Sequence, residues 1–92
     1  MVITRKQARM LLHSCLEYER RNSRYSTDNN FRSAKQEVEG FLASAMPTRQ
    51  INCRNMPWFV EVLQNYEAHN RGTIGNSLFQ HLRRQINFAQ NC

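Results

Sequence analysis

The stretch from Phe31 to Met46 constrains the fold most. Apolar side chains fall at Phe31, Ala34, Val38, Phe41, Leu42 and Ala45, in steps of three and four. At 3.6 residues per turn these six share one stripe of an α-helix. Arg32, Lys35, Glu37 and Glu39 fall on the opposite face and belong in water. A helix so one-sided has to bury its stripe against another element, so the rest of the chain must supply partner stripes.

Three more stripes are present. Thr4 and Gln7 form an S/T-x-x-Q capping box, flanked by Ile3 and Ala8 at the positions of a hydrophobic staple. The helix they start buries Leu11, Leu12, Cys15 and Leu16 and ends near Arg21 or Asn22. Residues 22–30 are polar turn formers, and Asp28, Asn29 or Asn30 caps the Phe31 helix. Gly40 inside that helix costs about 1 kcal/mol relative to Ala, so it either permits a close approach or is tolerated. Pro47 ends the helix, because the residue before a proline is pushed out of helical dihedrals. Pro57 opens a third helix, whose stripe is Phe59, Val62, Leu63 and Tyr66 with Trp58 beside it, and Asn70-Arg71-Gly72 stops it. Leu78, Phe79, Leu82, Ile86 and Ala89 line a fourth. The expectation is an all-α, single-domain bundle of about four amphipathic helices spanning residues 1–92. The alternative is α+β. Arg-Gln-Ile-Asn occurs at 49–52 and again at 84–87, so segments 48–54 and 84–90 could pair as a short hairpin.

Ninety-two residues suit one core. No apolar run approaches the roughly 20 residues of a membrane span, and the charges of Arg5 and Lys6 interrupt any signal peptide. A soluble, cytoplasmic protein without a membrane partner is expected. Cys15, Cys53 and Cys92 are odd in number and far apart, which indicates neither a disulfide framework nor a zinc knuckle. His13, His69 and His81 do not complete a metal site, and no cofactor is implied. Gly72-Thr73-Ile74-Gly75-Asn76-Ser77 lacks the lysine and the preceding strand of a Walker loop, so it reads as a turn and a cap. Backbone amides there, beside Arg71, could still receive one phosphate. No nucleophile–base pair and no paired carboxylates are signalled, so neither an enzyme nor a small-molecule substrate is expected.

Charge is more informative. Thirteen basic residues against seven acidic ones leave +6, and eleven of the thirteen are Arg. A guanidinium grips phosphate in two places and stacks on bases, which lysine cannot do. The expected partner is therefore a nucleic acid or nucleoprotein, held through its phosphate backbone, with an acidic protein surface as the alternative. The candidate contacts are Arg5, Lys6 and Arg9; Arg20, Arg21 and Arg24 with Tyr25 in a polar loop; Arg49 and Arg54 near Trp58; Arg71; and Arg83 with Arg84. Arg5 and Lys6 sit at a helix start, against the macrodipole, which hints at a use other than folding. The third helix is apolar and mildly acidic through Glu61 and Glu67, which disfavours a helix-turn-helix reader. The fourth, with Gln80, Arg83, Arg84 and Gln85, suits a nucleic-acid backbone better. Seventeen Asn and Gln residues suit a wet interface. A small DNA-binding regulator and a protein adaptor are the other functional readings.

From Met1-Val2-Ile3-Thr4-Arg5-Lys6-Gln7-Ala8-Arg9 to Gln90-Asn91-Cys92 the chain resembles, in size and compactness, the small phage-encoded anti-CRISPR proteins that act on type I CRISPR complexes. The resemblance implies a non-catalytic inhibitor in the host cytoplasm that binds the effector ribonucleoprotein and blocks target DNA. Many such inhibitors are acidic DNA mimics, and this chain is basic. That departure implies arginines reaching guide-RNA phosphates or acidic protein surfaces in the DNA-binding channel.

Overall fold

Thr4 starts the first helix as its sequence requires. Its hydroxyl accepts from the Gln7 amide at 3.2 Å, and its own amide donates to Gln7 Oε1 at 3.0 Å. Ile3 and Ala8, on either side of this box, are fully buried. The computed structural model describes residues 1–22, 28–70 and 77–89. Among these, strand β1 (Val2–Thr4) leads into α1 (Arg5–Arg21), followed by α2 (Asn29–Ala43) and β2 (Thr48–Gln50). A 3-10 turn (Cys53–Asn55) then feeds α3 (Met56–His69), and α4 (Ser77–Ala89) comes last. The fold is an all-α bundle of four helices carrying one short strand pair.

The stripes meet in one core. Leu11, Cys15 and Tyr18 of α1 pack with Phe31, Val38 and Phe41 of α2, Phe59 and Leu63 of α3, and Phe79, Leu82 and Ile86 of α4. Asp28 caps α2, its Oδ1 accepting from the amides of Asn30 at 2.8 Å and Phe31 at 3.2 Å. Pro57 lies in the first turn of α3 as expected. The burial of Ala89 falls outside the described residues.

Three expectations need correction. First, α2 stops at Ala43, short of Met46, and Ala45 is exposed. Ser44 Oγ and the Arg5 guanidinium take the last carbonyls of the helix before Pro47 can act. Second, Leu16 is 47 % exposed and Leu42 only half-buried, since each lies at the margin of its helix's buried arc. Third, segment 48–54 does not pair with 84–90. Thr48–Gln50 pairs antiparallel with the N-terminal residues, Val2 opposite Gln50, Ile3 opposite Arg49 and Thr4 opposite Thr48. A bond from the Ile51 amide to the Met1 carbonyl at 2.8 Å extends the ladder. The second Arg-Gln-Ile-Asn copy is helical and buries Ile86, because the spacing of three and four around it belongs to α4. Strand alternation sends Ile3 inward and leaves Val2 and Thr4 outward. Gly40 is exposed with open space where a Cβ would sit, so it serves no close approach.

Glu37 fastens this strand pair to the bundle. Its carboxylate accepts from Arg49 Nε and Nη2 at 3.1 and 2.9 Å, from the Asn52 amide at 3.0 Å and from Asn55 Nδ2 at 2.8 Å. Both oxygens of a carboxylate that is only 5 % exposed thus accept from donors.

Candidate nucleic-acid interface

The candidate cations divide by what they already hold. Arg5 donates to the carbonyls of Leu42 and Ser44, both at 2.8 Å, Met46 at 3.1 Å and Phe41 at 3.4 Å. Its guanidinium also lies 5.7 Å from the centroid of the Phe41 ring. A cation here satisfies the orphan carbonyls at the end of α2 and complements that end of the helix dipole. The position of Arg5 against its own helix dipole therefore has a structural cause. Three further candidates or neighbours are paired with carboxylates. Arg21 Nε meets Glu17 at 3.2 Å, Arg49 meets Glu37 as above, and Arg83 Nε meets Glu67 at 2.8 Å with Asn87 beside it. Lys35 is likewise held by Glu19 at 2.8 Å.

Lys6, Arg9, Arg20, Arg54 and Arg84 have no such partner among the described residues. Lys6, Arg9, His13, Leu16 and Arg20 recur in steps of three and four, so they form one outer stripe of α1 about 21 Å long at 1.5 Å per residue. Beside its first half lies a groove of about 470 Å³ lined by Lys6, Arg9, Met10, His13, Tyr66 and Leu78. Leu78 also lines an adjoining open depression of about 660 Å³ with Gln80, His81 and Arg84 of α4. His13 continues the surface the other way, into a shallower hollow with Leu16, Glu17 and Arg20. Neither the groove nor the α4 depression has an acidic side chain among its described lining residues. The Glu17 carboxylate in the third is engaged by Arg21 and by Asn70 Nδ2 at 2.9 Å. Those two bonds, Asn70 first, hold its carboxyl below the usual range although burial opposes them.

Contacts between helices join the walls of the groove. Gln7, the residue of the capping box, also donates to Gln85 Oε1 at 2.6 Å and so ties α1 to α4. Tyr66 rests on Phe79 with ring centroids 5.5 Å apart, and His13 meets Tyr66 edge-on at 5.5 Å. Motif reasoning found Lys6, Arg9, Arg20 and Arg84 but missed His13, Met10, Tyr66 and Leu78. The spacing of Lys6, Arg9, His13 and Arg20 was the available signal. The remaining candidates lie elsewhere: Arg49 on β2 and Arg54 on the 3-10 turn line none of these hollows, while Arg24, Tyr25, Arg71 and positions 72–76 of the glycine turn fall outside the described residues. Trp58 is half-buried against Tyr18 and Phe31, at 6.1 and 5.4 Å between ring centroids, and so serves the core.

Among the described residues no three His, Cys, Asp or Glu side chains gather to hold a metal. Burial pushes the Cys15 thiol up to about 12, the reverse of what an activated nucleophile needs. No described helix is long and apolar enough to cross a membrane. No protein-family model, no curated protein and no solved structure matches the chain.

Proposed function

We propose that this is a non-catalytic binding protein that holds a nucleic acid, free or within a nucleoprotein, on the face shared by α1 and α4. The observation that supports the reading is the sorting of charge among the described residues: Lys6, Arg9 and Arg84 line hollows with no ion pair, Arg20 lies beside a Glu17 carboxylate already bonded to Arg21 and Asn70, and Arg5, Arg21, Arg49 and Arg83 are consumed by the fold. Unpaired guanidinium and ammonium groups on a rigid helix stripe suit phosphates spaced along a backbone. In its most specific form, the one implied by the resemblance, the partner is the ribonucleoprotein of a type I CRISPR system and the protein obstructs its DNA channel.

Titration against DNA, RNA and a type I effector ribonucleoprotein over a range of salt tests this. Affinity for at least one of them should fall with salt at a slope of about 0.7 to 0.9 per phosphate engaged. Charge reversal at Lys6, Arg9 and Arg20 together should flatten that slope by about 2 to 3 and leave the thermal midpoint nearly unchanged. Salt-independent affinity for all three, or none, overturns the reading.

A further inference from the structure

The apolar groove between the cations narrows the kind of polyanion. A surface that only grips duplex phosphates needs cations at the right spacing and nothing between them, because a duplex keeps its base faces stacked inside. Here Lys6 and Arg9 share with Met10, His13, Tyr66 and Leu78 the lining of a groove of about 470 Å³, a size ordinary for a small organic ligand. Duplex backbone would leave that floor unfilled. A second copy of the chain is disfavoured as occupant, because its own unpaired cations would meet these.

We infer that the groove takes an unpaired base of a single-stranded nucleic acid, with Lys6 and Arg9 on the flanking phosphates and the next stretch of strand running toward Arg20 or Arg84. The inference rests on the polyanion reading above. Base faces settle on aromatic rings and soft side chains without needing a particular sequence. The pieces are in place: the His13 imidazole is exposed, the Tyr66 ring is backed by Phe79, and Met10 and Leu78 are half-buried. Binding should therefore favour single strands over duplex and be nearly indifferent to sequence.

The test compares three probes of equal length, about twelve nucleotides, the range of one single-strand site. They are a thymidine oligomer, its abasic counterpart with the same phosphates, and a blunt duplex, each titrated by fluorescence anisotropy with the full chain. The thymidine oligomer should bind about tenfold more tightly than either other probe at equal salt. His13→Ala should erode that preference while keeping the salt slope, and Leu78→Ser should do the same with its folding verified by thermal melting. Equal affinity for all three probes, with a salt slope, overturns the inference and leaves the polyanion reading standing. Binding by none of them also overturns it, and the ribonucleoprotein titration then decides the polyanion reading by itself.

Discussion

The guanidinium of Arg5 reaches four carbonyls beyond its own helix, while the ammonium of Lys6, the next residue, has no partner among the described residues. Two adjacent charges of the same sign therefore carry different consequences. Arg5→Ala strips the end of α2 of its donors and should lower stability by about 2 kcal/mol in chemical denaturation. Arg5→Lys should recover only part of that, since one ammonium cannot span carbonyls that a planar fork reaches from two nitrogens. Lys6→Ala should change stability by less than about 0.5 kcal/mol yet weaken nucleic-acid binding. Gly40 gives the opposite case. It is helical and exposed, and an added Cβ would meet nothing within 4 Å. Gly40→Ala should add about 0.5–1 kcal/mol, read as a rise in thermal midpoint of several degrees. The thiols divide the same way. Exposed Cys53 should react quickly with a thiol reagent, whereas Cys15, buried and pushed up to about 12, should label only as fast as the protein opens, with mass spectrometry assigning the sites.

At the scale of elements, what the sequence made legible is what is local. The Thr4–Gln7 box, the Asp28 cap, Pro57 and the four helices each rest on residues within a few positions of one another and appear where spacing places them, with only the margins of the stripes, Leu16, Leu42 and Ala45, misplaced among the described residues. The strand pair was not legible in the same way. Three residues from the N-terminus pair with three from 48–50, and no periodicity inside either triplet names its partner. Glu37 was hidden for a related reason. Its position on α2 looks solvated, yet the donors that bury its carboxylate come from Arg49, Asn52 and Asn55. Glu37→Gln turns one acceptor oxygen into an amine that faces donors, so β2 and the 3-10 turn should loosen together. The expected cost is about 2 kcal/mol, below the range for a fully buried pair because Arg49 is 46 % exposed. Hydrogen exchange at the Asn52 amide should accelerate more than at the α3 core. Uniform acceleration throughout the protein would mean that Glu37 acts on global stability and does not hold this corner.

For the whole molecule the decisive quantity is how seven acids are distributed among thirteen bases. Lys35–Glu19, Arg49–Glu37 and Arg83–Glu67 join residues twelve to sixteen positions apart, so a charge count could not foresee which cations the fold would consume. Among the pairs of the described residues, only Glu17–Arg21, one helical turn apart, is readable from spacing. Two of these pairs, Glu17–Arg21 and Lys35–Glu19, also shape the dependence of stability on pH. The Glu17 carboxyl is held low by Asn70 and Arg21, so its contribution is complete above its ordinary value of 4.5 and is lost as pH falls through the lower folded value. Lys35 is held high by its bond to Glu19, so that contribution is complete below 10.5 and fades as pH rises through the folded value. Cys15 acts on the same alkaline limb, because above 9.0 an unfolded chain can ionise the thiol that the core keeps neutral. Thermal stability should therefore be flat across neutral pH and decline on both sides. Asn70 also donates to the Tyr66 carbonyl at the end of α3, so acid loss of the Glu17 contact should loosen that end of α3 first. Glu17→Gln should flatten the acid limb and accelerate exchange there at neutral pH. An unchanged acid limb in that variant would overturn the assignment of the acid sensitivity to Glu17.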